Sequence, residues 1–117
     1  MKLNEVVTKL KLQQVTSFAK LDMVVQGGYV SDLLSNVMGQ AKPGMIWVTM
    51  QGHHNIAAVG SLIGLAAIIV AGDAKVEQDA IEKGNDNDLP IFVTALSSYD
   101  IVGALNKLGV TNEQEKK

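Results

Sequence analysis

The chain contains no cysteine and no arginine. The first absence rules out disulfide frameworks, thiolate metal sites and cysteine nucleophiles. The second narrows the partners. All ten basic residues are lysines, whereas forked recognition of phosphate, carboxylate or guanine depends on the guanidinium plane. Aromatic residues make up only 4% of the chain, and most lie on core patterns. With a net charge of −2, nucleic acid is not an expected partner.

The standard catalytic signatures are absent as well. There is no GxxxxGKS/T loop to cradle phosphates, no GxSxG elbow and no GxGxxG opening a helix after a strand. No charged residue falls between Lys42 and Asp73. The longest apolar span inside that window, residues 56–71, is interrupted by Gly60 and Gly64 and is shorter than the roughly 20 residues a membrane helix needs. A membrane span is therefore not expected. With no recognisable signal peptide, the expected location is cytoplasmic.

What is present is an ordinary compact composition: 117 residues, 47% hydrophobic and 19% charged. That suits one domain. The uncharged window organises the rest. Pro43-Gly44 turns into an apolar run, residues 45–50, rich in the β-branched and aromatic types that favour strands. The polar knot Gln51-Gly52-His53-His54-Asn55 follows, then a helix-length stretch, then a second apolar run at 66–71. This is a strand–helix–strand unit with parallel, fully buried strands, since neither run alternates with polar residues.

The flanking segments extend the pattern. Leu3, Val6, Val7 and Leu10 recur at helical spacing over residues 3–11. Residues 12–18 read as a strand and 23–26 as extended. Gly27-Gly28 then provides a backbone conformation that side chains would not permit. Ser31 reads as an N-cap with Asp32 in the first turn, and Leu34, Val37, Met38 and Ala41 as the buried stripe of the helix it starts. The central helix, residues 55–64, has apolar or small residues on all sides and is expected to be buried all round. Asp73 is expected to cap a helix over residues 74–84. Residues 90–95 form another buried strand, and Ser97 or Ser98 caps a final helix ended by Gly109. Residues 1–110 thus form one domain, and residues 111–117 a frayed tail. The fold class is α/β, a three-layer sandwich with a mostly parallel sheet and right-handed crossovers.

In open parallel sheets, ligands bind beyond the carboxyl ends of the strands. The polar residues that follow each expected strand are therefore the candidate site: Gly27, Gly28, Ser31, Asp32, Thr49, Gln51, His53, Asn55, Thr94, Ser97 and Ser98. Ser31, Asp73 and Ser98 also have plain roles as caps, and Trp47 reads as core. Gln51 and His53 are least explained by capping. His53 and His54 are adjacent, but no third ligand stands at chelating spacing, so no metal is expected.

The stretch from Asp22 to Gly39, with its Gly-Gly-Tyr-Val-Ser-Asp block, resembles the DRTGG domain family. Residues 47–59 and the segment Thr94 to Ser98 extend the resemblance to about residues 3–110. Met23 stands where the family has its arginine and Gln26 where it has its threonine, while Asp22, Gly27 and Gly28 match. An anion site resting on that arginine is not carried over. The resemblance implies a fold like the N-terminal domain of the kinase/phosphorylase that acts on the phosphocarrier HPr. Related domains also stand beside CBS domains in regulated pyrophosphatases and in some phosphotransacetylases. It further implies a regulatory or oligomerising accessory domain, from which no catalytic residue is carried over; no cofactor is expected.

The expected function is therefore a regulatory domain that senses a small polar metabolite at the carboxyl edge of the sheet. The expected oligomer is a homodimer or larger, built on the 55–64 helix, whose Gly60 and Gly64 allow close approach. The alternative for that helix is cover by the N-terminal helix of the same chain. Two other functions stay open: a protein-interaction module without a ligand, and a small enzyme using His53 as acid/base with Gln51 and Thr49 orienting substrate.

Overall fold

The computed structural model describes residues 1–17 and 20–112. In chain order the elements are α1 (Leu3–Leu10), β1 (Gln13–Gln14), β2 (Gly27–Val30), α2 (Leu34–Gln40), β3 (Met45–Thr49), α3 (Asn55–Ile63), β4 (Ala67–Val70), α4 (Gln78–Asp86), β5 (Ile91–Val93) and α5 (Ser98–Lys107). The five strands form one sheet in the order β1-β5-β4-β3-β2. The last four are parallel, with Tyr29 opposite Trp47, Trp47 opposite Ile68, and Ile68 opposite Ile91. Short β1 runs antiparallel along the outer edge of β5.

The sequence order explains the layers. From β2 to β5 each strand lies beside its predecessor and the order never reverses. Right-handed crossovers that all step the same way must place their helices on one face. Accordingly α2, α3 and α4 contribute Val37, Ile56, Ala57, Val59 and Ala80 to a core with Met45, Trp47, Ile68, Val70 and Ile91. The other face is covered from the two chain ends: Leu3 and Val6 of α1 and Ile101 and Leu105 of α5 pack on Ile46, Val48, Ala67, Ile69 and Phe92. Successive β3 residues point to opposite faces, so an uninterrupted apolar run is what a strand between two helical layers requires. The result is the expected three-layer α/β sandwich with a mostly parallel sheet.

Several local expectations are corrected. The strand expected at 12–18 shrinks to Gln13–Gln14, and its last residue, Phe18, lies outside the described residues. Gly27 and Gly28, expected to follow an extended segment, are the first half of β2 itself. The helix expected to be capped by Ser31 starts three residues later, with Leu33 at its N-cap and no side-chain cap. Gly39 lies within this helix. Asp73 is likewise no cap: it sits in a turn with φ of 61°, and α4 begins at Gln78 behind Glu77. Of the candidate caps, Ser97 serves: its Oγ accepts from Asp100 N at 3.1 Å. Gly109 ends the last helix region with φ of 93°.

The central helix also differs. It is not buried on every side, since Leu62 is 73% exposed and Ala58 is exposed too. Its small-residue face points inward instead. A Cβ on Gly60 would lie 2.8 Å from Leu89 Cδ2 and 3.1 Å from Ile68 Cδ1, so that close approach is used within the chain. The N-terminal helix does not cover α3 either, because α1 packs on the opposite face of the sheet.

Candidate functional site

At the carboxyl ends of β2 and β3, four of the expected residues meet. Asp32 Oδ1 accepts from Thr49 Oγ1 and from Met50 N, each at 2.7 Å. Gln51 Nε2 donates to Asp32 O at 2.6 Å, and Gln51 N donates to Thr49 Oγ1 at 3.1 Å. Ser31 Oγ accepts from Leu33 N at 3.1 Å, while Ser31 O receives the indole N–H of buried Trp47 at 2.8 Å. This set closes the β2–α2 loop onto the end of β3. Its hydroxyls and carboxylate are committed to neighbours, and Thr49 is fully buried.

The other expected residues lie apart from this set. The loops after β4 and β5 are bound to each other, with Gly72 N donating to Leu96 O at 2.7 Å and Asp73 N to Thr94 O at 3.1 Å. Thr94 Oγ1 accepts from Leu96 N at 3.2 Å, Ser97 is occupied as a cap, and Ser98 is the first residue of α5. Asn55 opens α3 behind His54. Gly27 and Gly28 stand at the amino half of β2, the opposite end from Ser31 and Asp32. No reversal of strand order opens a crevice at the carboxyl edge, and it is at such a reversal that ligands of doubly wound sheets sit.

His53 and His54 are exposed, with ring centroids 4.0 Å apart. His54 Nδ1 lies 3.3 Å from Glu77 Oε1, so the pair is an ion pair whenever the imidazole is protonated. Each of His53, His54 and Glu77 offers a ligand atom, and these atoms lie within 4.8 Å of one another. Glu77 was not legible as a partner, because it arrives from a loop beyond β4.

A cavity lies elsewhere. A hollow of about 340 Å³ opens between β2 and α5, on the face that α1 and α5 cover. Gly28, Val30 and Val48 form its floor, and Val102, Leu105 and Asn106 its helical wall. Val110, Thr111 and Asn112 close one end. Gly28 supplies no side chain to fill the hollow. Gly28 N donates to Thr111 O at 2.8 Å and Asn112 Nδ2 donates to Gly28 O at 3.1 Å, so Thr111 and Asn112, expected to begin a frayed tail, are stitched to the edge strand; residues 113–117 lie outside the described residues. Val30, two residues on, turns its peptide the same way, with no partner among the described residues. Only Gly28 had been singled out in the sequence. The remaining signal was the spacing of Val102 and Asn106, one turn apart beside the buried Ile101 and Leu105.

No family model and no curated protein matches this chain. Among solved structures, it is similar to the CBS and DRTGG domains of the regulatory region of Clostridium perfringens pyrophosphatase, determined in complex with the activator diadenosine tetraphosphate. The TM-score is 0.67 at 15% identity, and the match covers 96% of this chain and 47% of that chain. The chain therefore spans about half the length of its structural neighbour. At this identity the likeness is one of fold. It agrees with the α/β fold expected from the DRTGG resemblance, and the chain shares a fold with part of a pyrophosphatase regulatory region.

Proposed function

We propose that this chain is a regulatory domain of the DRTGG type that binds a small neutral molecule in the hollow between β2 and α5. The observation that carries the reading is the lining of that hollow. It is mainly apolar, with Asn106, Thr111 and Asn112 as its polar side chains, and among the described residues no charged one borders it. A charged ligand there would be stripped of water without a counter-charge. The size is at the lower end of small-molecule sites. Val30 brings a peptide N–H and C=O side by side along the open edge, which suits a ligand with a paired donor and acceptor such as a nucleobase or a primary amide.

The neighbour's activator carries four phosphates; with no arginine in the chain and no lysine among the described residues that line the hollow, a polyphosphate is not the ligand read here. Kinship with the N-terminal domain of HPr kinase rests on the block from Gly27 to Asp32, and a cytoplasmic location belongs to the same reading. A regulatory rather than enzymatic role is supported by the carboxyl edge, where Asp32, Thr49, Gln51 and Ser97 serve backbone and loop closure. Homo-oligomerisation stays part of the proposal, but on α3 it must use the exposed Ala58 and Leu62.

A thermal-shift screen of neutral nucleobases, nucleosides and amides against their phosphorylated counterparts tests the proposal. A ligand at 100 times its dissociation constant adds about 2.7 kcal/mol. A shift with neutral compounds that is lost in Val102→Phe supports the hollow. A shift with phosphorylated compounds only would refute it.

A further inference from the structure

We infer that His53, His54 and Glu77 form a binding site for a divalent transition-metal ion, zinc foremost. Two imidazole nitrogens and one carboxylate oxygen are a donor set that suits zinc and its neighbours rather than magnesium or calcium, which prefer all-oxygen shells. The three ligand atoms already lie within 4.8 Å of one another. Tetrahedral bonds of about 2.0–2.1 Å place ligand atoms roughly 3.3 Å apart, so small side-chain rotations close the remaining distance. All three side chains are exposed and have room to make them.

The convergence is built by the backbone. Gly52 approaches the next loop so closely that a Cβ there would lie 1.6 Å from Lys75 O. Glu77 N donates to Gly52 O at 2.8 Å, which fastens the loop after β4 to the loop after β3. The carboxylate is then oriented by His54 N, which donates to Glu77 Oε1 at 3.2 Å. His53 Nδ1 accepts from Asn55 N at 3.3 Å, a long contact whose loss on metal binding gives up little. The backbone hydrogen bonds from Glu77 N and His54 N thus pre-set the site without any ion. Three protein ligands leave a coordination position for water, and an ion held here clamps the two loops together.

The test is calorimetric titration of zinc chloride into the full chain, freed of metal by chelator and carrying no affinity tag. His53 and His54 are the chain's only histidines, which makes the readout clean. The expected result is one ion per chain, with affinity reduced at least about tenfold in each of His53→Ala, His54→Ala and Glu77→Gln. All three side chains are at the surface, so the variants should keep the parent's far-ultraviolet circular dichroism. In the parent, ring resonances of both histidines should shift together with zinc. Absence of binding would overturn the site. So would equal affinity in the double variant His53→Ala/His54→Ala, which would place the ion on carboxylates elsewhere. Unchanged affinity in Glu77→Gln, with the histidine variants impaired, would overturn the three-ligand geometry.

Discussion

Gly27 and Gly28 are neighbours with different obligations. Gly27 has φ of 154°, and a Cβ there would lie 2.8 Å from Thr111 O. At Gly28 a Cβ would meet Val110 Cγ1 at 3.4 Å and Ile46 O at 3.6 Å, which is ordinary contact. Gly27→Val should therefore cost about 1–3 kcal/mol, the scale of a strained backbone site. Gly28→Ala should stay within about 0.5 kcal/mol, while narrowing the hollow. Urea unfolding of both variants checks the split; equal losses would mean that the pair acts only as a joint. Asp32 is the second residue whose role the structure redefines. Its carboxylate holds the buried hydroxyl of Thr49 and the N–H of Met50. Asp32→Ala should cost about 1–3 kcal/mol by leaving Thr49 without its acceptor, and Asp32→Asn, which keeps an acceptor oxygen, should cost less. An alanine variant as stable as the parent would return Asp32 to the list of ligand contacts. Nothing local in the sequence separates these roles from capping, because Ser and Asp accept N–H bonds from a helix start and from a strand end alike.

At the scale of elements, β3, β4, β5, α1, α3 and α5 are legible in the sequence because their apolar patterns are long and unambiguous. The starts of α2 and α4 are not. Ser31 and Asp73 stand in plausible cap positions, yet Ser31 and Asp32 are drawn to β3 and Asp73 to Thr94 by bonds that only the closed sheet creates. Helix α3 shows the same limit. Its small residues predict a close approach, which is present, but the partner is the chain's own Leu89 and Ile68. Gly60→Glu should accordingly unfold the domain, costing about 3–5 kcal/mol for an unpaired buried carboxylate, rather than separate two folded copies. Leu62→Glu, on the 73% exposed side chain of the same helix, should leave the melting temperature near that of the parent. Sedimentation of the Leu62→Glu variant then reports on α3 as an interface: a parent oligomer that becomes a folded monomer places the contact there, and an unchanged one places it on another surface.

For the whole molecule, topology decides where a ligand has space. Strands that advance in one direction put three crossover helices on one face, and the other face is left to α1 and α5 from the chain ends. Two helices over five strands leave the β2 margin open, and Gly28 deepens it. The hollow is thus a consequence of incomplete cover, and its closing wall, Val110 to Asn112, returns from the far end of the chain. That long-range closure is why the β2–α5 groove is not legible in the sequence. Among the described residues no helix is long and apolar enough to cross a membrane. The most direct test of the account is an amide chemical-shift titration of the full chain with a neutral nucleoside or amide that raises its melting temperature. The account predicts saturable shifts at Gly28, Val30, Val48, Val102, Asn106 and Asn112. Saturable shifts confined to Thr49–Asn55 and Thr94–Ser98, with the β2–α5 groove unmoved, would contradict it.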